Sequence, residues 1–186
     1  MNKLPTFITG NQHKADYFSR QMGIDIPHMK IELDELQSTD LHIIVRHKLE
    51  QAYAVAKQPV LVEDVSLVFL ALGSLQGPYI KWFVEYAGEE ACCRMLDGFT
   101  DRSAIIRCTF GYYDGERMEF FDSELPGTIS DHPRGDNGFG FDRFFINEGN
   151  TITRAEMTQD ENERTYAEIM KPFSKVREYL RQLNLS

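Results

Sequence analysis

Cysteine is scarce in this chain. There are three in 186 residues, with Cys92 and Cys93 adjacent and Cys108 beyond them. That is neither a disulfide framework nor a zinc spacing, so a reducing cytoplasm is expected and the thiols read as small buried hydrophobes. Positive charge is also in deficit: 20 Lys and Arg stand against 29 Asp and Glu, a formal net charge of −9. Phosphate backbones and anionic bilayers select basic faces, so neither a nucleic-acid polymer nor a membrane surface is expected as a partner. Any phosphate site must be a local basic pocket in an acidic protein. No apolar run approaches the length of a membrane span, and the first residues lack the charged-then-apolar order of a signal peptide. Repeats, low-complexity segments and linkers are missing too. So are the glycine-rich loop ending in Gly-Lys-Ser/Thr and the Asp-x-Asp pattern of aspartyl phosphatases.

What is present fits one globular domain spanning 1–186. A chain of this length buries roughly 70% of its unfolded surface, and 42% apolar with 26% charged residues is ordinary for a soluble fold. The most informative stretch is Pro59-Val-Leu-Val-Glu63-Asp64-Val-Ser-Leu-Val-Phe69. A short apolar run reads as a buried strand, and Glu63 with Asp64 then stands at its carboxyl end, where open α/β sheets place ligands. Two neighbouring carboxylates are costly to bury unless a hard divalent ion such as Mg²⁺, or nearby lysines, compensates them. The plainer alternative is a strand end followed by a solvated acidic turn.

The chain opens with a strand from Leu4 to Thr9, then Gly10-Asn11, then a helix from about Gln12 to Met22. Asn11 suits an N-cap and Gly10 a tight turn. The free N–H groups at that helix start favour an anion, and Lys14 adds a positive charge there. A second short strand is expected over His28–Leu33, leading into the acidic loop Asp34–Asp40. A helix follows from about Leu41 to Lys57, with apolar positions at helical spacing. Lys48 sits four residues from both Ile44 and Ala52, at the margin of the apolar face. It either snorkels to water or turns toward a buried phosphate.

Further along, Gly73–Gly77 forms a glycine-punctuated loop. Pro78 stands at the tolerated first position of an aromatic-rich helix that carries Lys81. A short helix over Glu89–Leu96 follows. Ser103–Tyr113 and Met118–Leu125 flank Asp114-Gly115 and read as a β-hairpin. Pro126-Gly127 and Pro133-Arg-Gly135 punctuate a turn-rich stretch. In Gly138-Phe139-Gly140-Phe141-Asp142, glycines beside aromatics let backbone approach a flat ligand, or simply make an irregular turn. The last helix is expected over about Asn162–Asn184, bent near Pro172.

Taken in order, Thr9-Gly-Asn-x-x-Lys14, Val62-Glu-Asp64, Gly77-Pro-Tyr-Ile-Lys-Trp-Phe83, Phe139-Gly-Phe-Asp142 and Thr153-Arg-Ala-Glu-Met157 resemble the inosine triphosphate pyrophosphatase (Ham1-like) family. The resemblance covers nearly the whole chain, and the run from Gly77 to Phe83 looks like the eukaryotic branch. It implies an α/β fold: a mixed twisted sheet in two lobes flanked by helices, with the nucleotide in a central cleft, in a homodimer. It also implies Mg²⁺-dependent hydrolysis of a nucleoside triphosphate to the monophosphate and pyrophosphate. By position, Thr9, Gly10, Asn11 and Lys14 match the phosphate-binding turn, and Lys48 and Lys81 the phosphate-contacting lysines. Glu35 and Asp64, with Glu63 beside them, match the metal-binding carboxylates. Asp64, Glu63 and Lys14 carry the catalytic role, and Phe139, Gly140, Phe141 and Asp142 match the loop that holds the base.

The departures are at the end. The Ser-His-Arg triplet that the resemblance leads one to expect, which contacts phosphate and the purine 6-oxygen, is replaced by sequence within Asp160–Glu168. A shifted register brings Arg164 to the arginine position. Arg154 stands where a tyrosine is usual. The expectation is an enzyme with unusual base preference. The alternative is a nucleotide-binding or regulatory protein with little turnover.

Overall fold

A computed structural model describes residues 4–10, 12–73, 75–138 and 140–185. For His13, 164–168, Asn184 and Leu185 it describes the backbone alone. The first half contains β1 (Thr6–Ile8), α1 (Gln12–Met22), β2 (His28–Met29), α2 (Leu41–Ala56) and β3 (Val60–Phe69). After it come β4 (Gln76–Gly77), α3 (Ile80–Trp82), α4 (Glu89–Arg94), β5 (Ser103–Tyr113) and β6 (Met118–Ile129). The chain closes with β7 (Phe145–Asn147), α5 (Gln159–Met170) and α6 (Phe173–Leu185). The strands form one mixed sheet in the order β2-β1-β3-β5-β6-β7, with β4 pairing to β3. This is the mixed, helix-flanked α/β sheet expected. Among the described residues, no helix is long and apolar enough to cross a membrane.

The chain divides into two compact units. The first comprises residues up to Asp64, Thr109–Asp122 and the chain from Pro172 on; the second comprises Val65–Cys108 and Ser123–Lys171.

In the first unit β1 pairs in parallel with both β2 and β3. Alternation along β3 sorts its side chains by face. Val60 and Val62 pack with Ile8 against Val45, Leu49 and Ala52 of α2. On the aromatic side, Phe7, Phe18, Phe110 and Phe173 stack at 4.7–6.1 Å between ring centroids. Helix α2 begins at Asp40, whose carboxylate accepts the His42 N–H at 2.8 Å, and ends with Lys57 in the left-handed region at φ 51°. Its contact with β5 is close. A Cβ on Gly111 would lie 2.4 Å from Val45 Cγ1 and 2.7 Å from Leu49 Cδ1, so only glycine fits.

In the second unit Leu67, Phe69, Ile80, Cys92, Cys93, Leu96, Ile106, Phe144 and Phe145 make up much of the core. Here β4 pairs antiparallel with the far half of β3, Leu67 opposite Gly77, and β7 pairs antiparallel with β6.

Several elements differ from the sequence reading. β3 does not end at Glu63-Asp64 but runs on to Phe69, because Val65, Leu67, Val68 and Phe69 are apolar and β4 supplies partners. β2 covers only His28–Met29, and 30–39 is irregular. The helix expected from Pro78 starts at Ile80 and widens into a π-helical turn over Phe83–Ala87. Pro126-Gly127 lies inside β6: Pro126 cannot donate, but its carbonyl accepts the Glu148 N–H at 3.0 Å. The single bent C-terminal helix is two helices, broken at Pro172, which cannot donate to the preceding turn.

Candidate active site

Glu63 and Asp64 are neighbours on β3, so their side chains leave opposite faces of the strand. Glu63 follows the odd-numbered face and meets Lys14, in the first turn of α1, at 2.9 Å between Nζ and Oε1. Asp64 continues the Val60–Val62 face and meets Lys48 of α2, at 2.5 Å between Nζ and Oδ2. Each lysine therefore compensates one acid, and two ion pairs replace the single acid cluster that adjacency in sequence suggests. Burial makes this compensation necessary: the Glu63 side chain is 5% exposed and that of Asp64 16%. Lys48 does not snorkel away to water; its ammonium turns to Asp64 on the strand.

The turn after β1 is less open to an anion than its sequence suggests. The Thr9 N–H donates to the Met29 carbonyl at 3.0 Å, so that backbone group is already engaged. Space at Gly10 is tight: a Cβ there would come 3.2 Å from Lys30 Cγ and 3.3 Å from its Cδ. Lys30 thus lies alongside this turn, a placement the sequence reading missed. The available signal was the parallel pairing of β1 with β2, which sets Met29 beside Ile8 and the next residue beside the turn. Asn11 lies outside the described residues.

Glu35 is exposed on the irregular segment that follows β2. Gln51 of α2 holds this segment: its Oε1 accepts the Asp34 N–H at 2.9 Å, and its Nε2 faces Asp34 Oδ2 at 3.4 Å. Glu35 is therefore anchored through α2, the helix whose Lys48 reaches Asp64. Among the described residues, no group of three His, Cys, Asp or Glu side chains is gathered to hold a metal. The donor set here suits Mg²⁺, which takes one or two carboxylates and completes its shell with substrate phosphate and water.

The second unit holds the remaining candidates. Lys81 lies over the Trp82 ring, with Nζ 5.0 Å from the centroid. Gly140, Phe141 and Asp142 form a 3₁₀ turn, Gly140–Arg143, with Phe141 packed on that unit's core. Asp142 is buried and accepts a hydrogen bond from Arg154 Nε at 2.8 Å. Phe139 and the Arg164 side chain lie outside the described residues. Thr153–Glu156 closes a capping box, and the Thr153 N–H is the main cause that holds the Glu156 carboxyl below its ordinary range. Sequence reasoning noted Arg154 as a substitution but not its partner.

The chain is similar to known proteins over most of its length. The family model described as the Ham1 family matches residues 5–169. An inosine triphosphate pyrophosphatase from Batrachochytrium dendrobatidis is 43% identical over 158 residues, covering 83% of this chain and 82% of that protein. A dITP/XTP pyrophosphatase from Saccharolobus solfataricus is 34% identical over 176 residues, covering 93% and 91%. In fold, the Staphylococcus aureus Ham1 protein superposes with a TM-score of 0.82 at 21% identity, over 96% of this chain and 98% of that one. A Coxiella burnetii HAM1 protein gives 0.79 at 21% identity, over 97% and 100%. With its matched span, its relatives in sequence and its likeness in fold all in accord, this chain belongs to the Ham1 family.

Proposed function

We propose that this chain is a Mg²⁺-dependent nucleoside triphosphate pyrophosphohydrolase that converts the triphosphate to the monophosphate and pyrophosphate. The observation that carries the reading is the double lysine–carboxylate arrangement on β3, Lys14 with Glu63 and Lys48 with Asp64. The names of relatives that span nearly the whole chain support it. A triphosphate brings several negative charges, and lysines already held at the site meet them without reorganisation. Lys14 and Lys48 are assigned to the phosphates, with Lys81, Thr9, Gly10 and Asn11 completing that set. Asp64, with Glu35, would hold the metal, which when bound supplies Lewis-acid charge at the phosphoryl oxygens.

The product pair requires cleavage of the α–β anhydride. Water attacks the α-phosphorus, the bond to the bridging oxygen breaks, and pyrophosphate leaves with that electron pair. Glu63 orients the water and takes its proton, and Lys14 fixes that carboxylate. Phe139, Gly140, Phe141 and Asp142 hold the base, with Arg164 as the donor in place of the missing triplet. The reading includes a homodimer, supported by the exposed, mutually stacked Trp82 and Tyr86. It also includes a reducing cytoplasmic setting, supported by three buried cysteines that are not joined in disulfides.

The test is a panel of purine and pyrimidine triphosphates with Mg²⁺, with products separated by chromatography. Monophosphate plus pyrophosphate supports the reading, and diphosphate plus phosphate overturns it. Tight binding without turnover would instead make the chain a nucleotide-binding protein.

A further inference from the structure

The segment that enters the base-holding turn is fastened to the turn at Thr153–Met157. The Asn137 N–H donates to the Ala155 carbonyl at 3.0 Å, and its side-chain amide donates to the Met157 carbonyl at 2.8 Å. The Thr153 hydroxyl donates to the Arg134 carbonyl at 2.9 Å. Contact is close enough that a Cβ on Gly135, already at φ +80°, would overlap the Ala155 carbonyl carbon at 2.3 Å. Into this frame the chain buries a full charge pair. Arg154 Nε donates to Asp142 Oδ1 at 2.8 Å, and Arg154 Nη1 to Asn147 Oδ1 at 3.4 Å. Both charged side chains are under a tenth exposed. Gly138, at φ +77°, lies against the other carboxylate oxygen, where a Cβ would come within 2.4 Å of Oδ2.

This pair does more than neutralise. Asp142 is the last of the four residues assigned to the base, and its carboxylate is wedged between Gly138 and the guanidinium. An arginine fork is always charged and directional, so it fixes a carboxylate more firmly than a neutral phenol could. We propose that Arg154 is the positioning residue of the base-holding turn: its buried ion pair with Asp142 fixes the backbone of Gly140–Arg143 in the shape that receives the base. The inference rests on the assignment of that turn under the proposed function. In this chain a charge clamp behind the turn stands in for part of the selectivity that a Ser-His-Arg triplet would read directly.

Binding separates this role from a merely structural one, because the phosphates and the base are held by different residues. Inosine triphosphate and inorganic tripolyphosphate are titrated calorimetrically, without added metal, into the wild-type chain, Arg154→Met and Arg154→Lys. Arg154→Met is expected to weaken inosine triphosphate by about 10-fold or more and tripolyphosphate by less than about 2-fold, with Arg154→Lys between. Asp142→Asn combined with Arg154→Met should be no worse than the poorer single variant, since the two act as one unit. Equal weakening of both ligands, no weakening of either, or additive single effects would overturn the inference. Should Arg154→Met fail to melt cooperatively, Arg154→Lys decides by the same ratio. A wild type that binds both ligands but releases no pyrophosphate sinks the proposed reaction while leaving this comparison intact.

Discussion

Lys48 and Asp64 meet at 2.5 Å between α2 and β3, and the carboxylate they share belongs to the one strand that also carries Glu63. Under the proposed function, removing the Asp64 charge takes away the carboxylate assigned to the metal but leaves its shape. Asp64→Asn is expected to lower turnover by about 10²-fold or more while the thermal melt stays cooperative. Steady-state pyrophosphate release with Mg²⁺ checks this, and near-normal activity would rule out the assignment of Asp64.

Replacing Lys14, Lys48 or Lys81 by Met should weaken triphosphate binding more than nucleoside binding. Lys14 and Lys48 are each already held by an acid of β3, so removing either also leaves a part-buried carboxylate without its cation. Melting curves measured alongside the titrations separate that stability loss from the ligand effect. A lysine whose loss weakens both ligands equally has a structural role alone.

Base discrimination should be shallow. A site that hydrogen-bonds a particular group can reject an analogue lacking it by about 10⁴-fold, because buried partners are left unpaired. The Ser-His-Arg device for a 6-oxo purine is missing from Asp160–Glu168. The ratio of kcat/KM for inosine over adenosine triphosphate is therefore expected to stay well under the hundreds. A ratio in the hundreds would mean that other residues read the base, and Arg164→Ala is then the variant to measure.

The thiols should be inert in the native state. Burial, the largest cause, pushes Cys92 and Cys93 up to about 11 from 9.0, although hydrogen bonds with Gln76 and Ser130 respectively pull the other way. At pH 8 each is then roughly one part in a thousand thiolate, and the ring of a disulfide reagent must also reach it. Native protein should leave all three cysteines unmodified over minutes, and denaturant should release three equivalents. Because the unfolded thiols ionise first, stability is expected to fall as pH climbs from about 9 through about 11.

The sequence made the charge chemistry legible and left its geometry hidden. Two acids after an apolar run pointed to a compensated pair of carboxylates, because burying an ionised carboxylate is costly without a cation or hydrogen-bond donors. Lys14 and Lys48 supply the cations here. That the acids face opposite sides of one strand depends on β3 continuing past them, and this was decided by β4, a partner only two residues long. The aliphatic face of α2 was readable from spacing, as with Ile44, Val45, Leu49 and Ala52, whereas the cluster of Phe7, Phe18, Phe110 and Phe173 was not. Pro126-Gly127 was not, since local turn chemistry there is overridden by pairing with β7. The Asp142–Arg154 pair was invisible because no local pattern links residues 12 apart across a strand and its flanking turns.

Gly111 gives the first unit a vulnerability of a different kind. It is uncharged, lies on β5 and is assigned no chemistry, yet the space of its missing methyl is taken up by Val45 and Leu49 of α2. Helix α2 is a continuous 16-residue rod, and Lys48 stands between the two side chains, Val45 and Leu49, that would be pushed first. Gly111→Ala should cost about 1–3 kcal/mol of overpacking, part of it relieved by lifting the rod. The ammonium would move with it. A variant at this silent position would then fail kinetically in the manner of a lysine mutant, and anyone sorting inactive variants by distance from the charged residues would file it wrongly.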